Sequence, residues 1–98
     1  MRNMAPAAKA RYIRDANLKA LYGIRLVQYE QMVERQTGVC AICGRPPRGR
    51  RALDVDHDHV TGRVRGLLCG NCNRAVGLLD ENPDLFDKAK TYILKFRQ

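Results

Sequence analysis

The sequence predicts a small α+β domain, mostly helical, built around one short β-hairpin and a structural four-cysteine zinc site. Three observations carry this. Four cysteines form two C-x-x-C pairs, Cys40/Cys43 and Cys69/Cys72, with 25 residues between them. The stretch LDVDHDH, residues 53–59, alternates in polarity as a strand does and is followed by a turn signal at Thr61-Gly62. The segments before and after this region have helical apolar spacing.

The elements follow in order. Residues 6–22 favour helix, with proline near the start, Tyr12, Ala16, Leu18 and Leu21 as a narrow apolar stripe, and Gly23 as the stop. A second helix spans 26–36, with Leu26, Tyr29, Met32 and Val33 on one face, and ends before Gly38. Residues 44–53, GRPPRGRRAL, form a proline-glycine-arginine loop that cannot be helical. Strands are expected at 53–59 and 63–68. In the first, Val55, His57 and His59 share one face, and Asp54, Asp56 and Asp58 share the other. A short helix follows over 70–79. The last helix runs from Pro83 to about Arg97, with Leu85, Ala89, Tyr92, Ile93 and Phe96 on an apolar face expected to join the core. Asp84 and Asp87 fall in its first turn and Lys95 and Arg97 in its last, which suits the helix dipole.

At 98 residues the chain reads as one domain: a basic helical part (1–36), a zinc-bracketed core (40–79) and a C-terminal helix (83–97). A core this small is often supplemented by a metal or by disulfides. The N-terminal stretch MRNMAPAAKARYIRD has no apolar h-region, so no secretory signal is expected. No run approaches the roughly 18 apolar residues of a membrane span. A reducing cytosol is therefore the expected setting, and there paired C-x-x-C turns read as a structural Zn²⁺ site rather than as disulfides. A redox role is disfavoured, because neither pair sits in a βαβ context.

Net charge is +8 and uneven: residues 1–53 hold eleven basic residues against three acidic ones, while residues 54–98 hold seven of each. The basic half is the footprint expected for a polyanion such as DNA, with affinity that falls with salt. Arg45, Arg48, Arg50 and Arg51 in the loop, and Arg63, Arg65 and Arg74 near the hairpin, are the candidate phosphate contacts, although single arginines more often only solvate a surface.

Zinc needs only the four cysteines, which leaves Asp56, His57, Asp58, His59 and Asn73 unassigned. Carboxylate and amide oxygens suit a hard cation such as Mg²⁺, and a neutral histidine beside such a cation is a competent general base. Together these are the parts that phosphodiester hydrolysis needs.

The strings CAIC, LDVDHDHVTGRVRGLLCGNCN and NRAVGLLDENPDLFDKAKTYI, with NLKALYGI upstream, resemble the phage recombination endonuclease VII family of HNH, or His-Me finger, nucleases over about residues 17–96. The resemblance implies a ββα-metal site. Asp56 and Asn73 would hold Mg²⁺ or Mn²⁺, His57 would be the general base, and His59 would assist or contact phosphate. Cys40, Cys43, Cys69 and Cys72 would bind zinc, and cleavage would leave 5′-phosphate and 3′-hydroxyl ends. It also implies a phage or prophage origin and action in the host cytoplasm. Monomer and homodimer stay open, as do Holliday-junction resolution and simple nicking. A non-catalytic zinc module that binds nucleic acid is the alternative, but it has no need of an Asp-His pair with a distant Asn.

Overall fold

The computed structural model describes residues 5–97. It is an α+β arrangement of four helices and one two-stranded antiparallel sheet. The elements are α1 (Pro6–Tyr22), α2 (Leu26–Arg35), β1 (Asp54–His57), β2 (Val64–Leu68), α3 (Gly70–Leu78) and α4 (Pro83–Lys95).

Pro6 opens α1, and Gly23 closes it in the left-handed conformation at φ 72°, with its N–H donating to the Lys19 carbonyl. Two side chains set the start of α2. The Gln28 side-chain oxygen accepts the Arg25 N–H at 2.7 Å, and Asp15 on α1 accepts the Leu26 N–H at 2.8 Å. The guanidinium of Arg25 beside Asp15, with the Leu26 N–H, holds that carboxyl down at about 2. The two helices are thus joined at their junction as well as by packing.

The core is small. Leu18, Leu26, Tyr29, Cys40, Leu53, Val55, Leu67 and Leu68 are buried, with Tyr22, Ile24, Met32 and Val33 packed around them. Tyr29 reaches across to donate its hydroxyl to the Leu53 carbonyl at 2.7 Å. Gln36, just past α2, clamps the sheet to the helices. Its amide nitrogen donates to the Val39 and Leu67 carbonyls, and its oxygen accepts the Leu67 N–H at 3.0 Å.

The strand register pairs Asp54 with Leu68, Val55 with Leu67, Asp56 with Gly66 and His57 with Val64. The jump at the last step leaves Arg65 as the extra residue of a β-bulge. β1 ends at His57, two residues sooner than its alternation suggests. The physical reason is Asp58. Its side chain accepts the N–H groups of Val60 and Thr61 at 2.8 and 2.9 Å and so starts the turn that Gly62 completes at φ 75°. Those two N–H groups also hold the Asp58 carboxyl below its ordinary value.

Two apolar expectations are corrected. On α1 only Leu18 is buried, while Tyr12 and Leu21 are 51% and 70% exposed. On α4 nothing is buried: Leu85 and Ala89 are half-covered, and Tyr92, Ile93 and Phe96 are exposed. On α1 the stripe meets α2 and the core through Leu18 alone, and on α4 the apolar face stays largely open. The radius of gyration of 16.7 Å reflects this elongation, against about 13 Å for a compact chain of this length.

Candidate functional site

The cysteines come together first. Their Sγ atoms lie within 4.8 Å of one another, and Cys43 and Cys69 are 3.8 Å apart. Tetrahedral zinc with bonds of about 2.3 Å places sulfurs about 3.8 Å apart, so the quartet fits that ion. The turns are built for thiolates: the Ile42 N–H points at Cys40 Sγ and the Cys72 N–H at Cys69 Sγ, both at 3.4 Å. Cys69 is also the N-cap of α3. Burial pushes the Cys40 thiol up, but backbone N–H groups of Cys43, Cys69 and Ile42 outweigh it and hold it down at about 6. Burial, followed by the thiols of Cys69, Cys40 and Cys43, pushes Cys72 up to about 12. One thiolate forms readily and the next is resisted, first by burial and then by its neighbours, and a divalent cation relieves both. Cys40 belongs to the hydrophobic core itself.

The hairpin carries the second group. His57 is half-buried at the end of β1. Its ring tilts against Tyr22 at 5.6 Å and stacks on His59 at 4.9 Å. His59 is exposed, in the turn rather than on the strand. Asp56, on the opposite face of β1, is 13% exposed and is forked by Arg65. Arg65 Nε donates to Oδ2 at 2.8 Å, and Nη2 donates to Oδ1 at 3.0 Å. The same Nη2 donates to Glu81. Asp56, with Glu81 beside it, holds the Arg65 pKa well above its ordinary value. Asn73 is half-buried on α3, with its backbone N–H on the Cys69 carbonyl at 2.9 Å. His57 and Asn73 stand outside the hydrogen-bonded set around Asp56.

The candidate arginines divide into groups. Arg45, Arg48, Arg51 and Arg74 line a cleft of about 280 Å³ beside Cys43, Cys69 and Cys72. Arg51 also pairs with Asp54 at 3.2 Å. Arg63 and Arg65 share a shallow groove with Asp58 and Thr61 along the hairpin. Arg50 is exposed in the loop and lines neither. Sequence reasoning missed Glu81 and Gln36. No periodicity flags either, because each acts on a strand far from it in the chain. The D-x-x-T spacing of a side-chain turn was the available signal for Asp58.

The class defined by this fold and cluster is a small α+β domain whose hairpin is bracketed by four cysteines able to hold zinc. Residues 15–95 match the family described as recombination endonuclease VII, and the chain belongs to that family. It is similar to the Gene 59 protein of Mycobacterium phage L5, 42% identical over 82% of this chain and 49% of the relative. It is also similar to the Gene 59 protein of Mycobacterium phage D29, 39% identical over 91% of this chain and 54% of the relative. The chain spans about half the length of these curated relatives. No helix among the described residues is long and apolar enough to cross a membrane.

Proposed function

We propose that the chain is a metal-dependent DNA endonuclease of the HNH, or His-Me finger, type. The carrying observation is the adjacent pair Asp56-His57 on β1, in a cysteine-bracketed strand–strand–helix unit of a chain that belongs to the endonuclease VII family. The whole chain acts as a single domain, with the basic α1–α2 half and the arginine cleft gripping the phosphate backbone.

In this reading β1 turns its two site residues to opposite faces. His57 takes the proton of the attacking water. Its ring, wedged between Tyr22 and His59, has little freedom to rotate away from that task. The water oxygen bonds to phosphorus, the bond to the 3′ oxygen breaks, and that oxygen is protonated from solvent. The products are a 5′-phosphate and a 3′-hydroxyl. Asp56 and Asn73 offer hard oxygen donors suited to Mg²⁺ or Mn²⁺. When bound, such a cation supplies positive charge for the phosphate and the departing oxygen. His59 is close enough to His57 to orient it or to touch phosphate. Arg63 on the hairpin neutralises phosphate nearest the cut, and Arg45, Arg48, Arg50, Arg51 and Arg74 those further along, while Arg65 is engaged by Asp56 and Glu81. Zn²⁺ on Cys40, Cys43, Cys69 and Cys72 is structural. The phage relatives support a phage or prophage origin and action in the host cytoplasm.

The test is cleavage of end-labelled four-way junction, nicked duplex, plain duplex and single strand, with Mg²⁺, with Mn²⁺ and with EDTA. Metal-dependent cutting that falls by about 10²–10⁴ in His57→Ala, with an unchanged melting curve, is the expected result. Paired cuts in the junction would mean two sites acting together and Holliday-junction resolution by a dimer. Single nicks would mean a nicking enzyme. No cutting by a folded, zinc-loaded chain would favour the non-catalytic binding module.

A further inference from the structure

Asp56 is a carboxylate with its cation already in place. The Arg65 fork covers both of its oxygens, at 2.8 and 3.0 Å, and its Nη2 is shared with Glu81. Both carboxylates are well shielded, at 13% and 21% exposure. Two irregular pieces of backbone create this meeting. Arg65 is the extra residue of the bulge opposite the Asp56–His57 step. Asp80 and Glu81 both adopt left-handed backbone, at φ 55° and 54°, with the Glu81 N–H tied to the Val76 carbonyl at 2.9 Å. Residues with a Cβ adopt that region at a cost, and a pair of them is held there by its surroundings. Here the pair turns the chain back from α3 so that Glu81 faces the bulge.

We propose that Arg65 is an internal counter-cation that competes with the divalent metal for Asp56, and that Glu81 is its second resting place. The inference rests on the reading of Asp56 as a metal ligand. Without a metal, two shielded carboxylates would face each other, and one guanidinium neutralises part of that repulsion. The fork takes one lone pair of each oxygen and sets a positive charge beside any entering cation, so metal entry is resisted until the fork opens. Glu81 then keeps the guanidinium within a side-chain length of Asp56 rather than releasing it to solvent. Arg65 is thus a positioning residue that sets metal affinity, and its removal tightens metal binding instead of weakening it.

The experiment is calorimetric titration of Mn²⁺ into the zinc-loaded full chain at fixed pH and ionic strength. Wild type, Asp56→Asn, Arg65→Gln, Glu81→Gln and the Arg65→Gln/Glu81→Gln pair are compared, with zinc content and melting curves recorded for each. Arg65→Gln is expected to lower the Mn²⁺ Kd about tenfold, the scale of one partly exposed forked ion pair. Glu81→Gln is expected to raise the Kd, and to raise it less in the Arg65→Gln background, because part of its effect passes through the guanidinium. If Arg65→Gln fails to fold, Arg65→Lys, which keeps the charge and loses the fork, is expected to tighten Mn²⁺ by a smaller factor. Loss of binding in Asp56→Asn with an unchanged or weaker Arg65→Gln would overturn the competition and leave the metal reading standing. Wild-type binding in Asp56→Asn would instead remove the metal reading itself. An equal Glu81→Gln penalty in both backgrounds would overturn the resting place, making Glu81 act on the metal directly.

Discussion

The β1–β2 hairpin and helix α4 differ in what holds them. The hairpin has nine strand residues, yet Val55, Leu67 and Leu68 are buried, and its remaining groups are tied by Gln36, Asp58 and Arg65. Helix α4 has every local advantage. Asn82 caps it by accepting the Asp84 N–H at 2.9 Å, Pro83 opens it, and Asp84 and Lys95 complement its dipole. It nevertheless buries no residue. Caps and charges decide that a helix forms. Whether its apolar face is covered depends on what another part of the chain brings to it.

The largest test of the contrast is Cys69→Ser. It removes one of the four thiolates while leaving a hydroxyl that can still cap α3, so the loss reports the metal site. Metal in sites of this kind contributes on the order of 10 kcal/mol of folding free energy, comparable to the whole stability of a small domain. The cooperative melt should vanish and zinc content should drop, and prolonged EDTA should do the same to wild type. A wild-type melt in Cys69→Ser would mean that the hairpin stands without the metal.

Gln36→Ala comes next. The Leu67 N–H loses its acceptor in a strand with no exposure at that residue, so a loss of about 1–3 kcal/mol in denaturant titration is expected. A neutral result would mean that water replaces the amide and that the clamp is dispensable.

Ile93→Ala on α4 should change stability by no more than about 0.5 kcal/mol, since the side chain is 49% exposed. A loss of 2 kcal/mol or more would show that the face is covered in solution and would break the contrast.

The smallest effect is at the α1–α2 junction. The Asp15 carboxyl is held at about 2 in the folded chain, below the ordinary 3.8. A depressed carboxyl stabilises the fold above its unfolded value and loses that contribution as pH falls through its folded value. The melting temperatures of wild type and Asp15→Asn should therefore differ above about pH 4 and converge as pH falls toward 2. A gap that persists at the acid end would assign the effect to packing rather than to charge.

Much of this was legible in the chain itself. All six elements sit within two residues of their expected bounds, and β1 loses its last two to the side-chain turn of Asp58. Helical period, Pro6, Gly23 and Pro83 are local signals and survive folding. The cysteine quartet was legible because thiolate spacing is imposed by one ion. The bulge at Arg65 was not, since register is a property of two strands and cannot be read from one. Glu81 was hidden for the same reason, being drawn to Asp56 by a left-handed turn that its own sequence, DEN, does not announce. The exposed faces of α1 and α4 were misjudged because periodicity reports amphipathicity and not the presence of a partner.

The quartet is also lopsided. Cys40 is 2% exposed inside the core, while Cys43, three residues on, is open to solvent. A chelator would gain its first hold from the cleft that Cys43, Cys69 and Cys72 line, and the last bond to break would be the one to Cys40, which the core encloses. A zinc ion held there would leave from the open side, at a pace set by how often the core opens behind it. Radioactive zinc, exchanged at equilibrium, becomes a clock for that opening in a protein otherwise too small to offer many others.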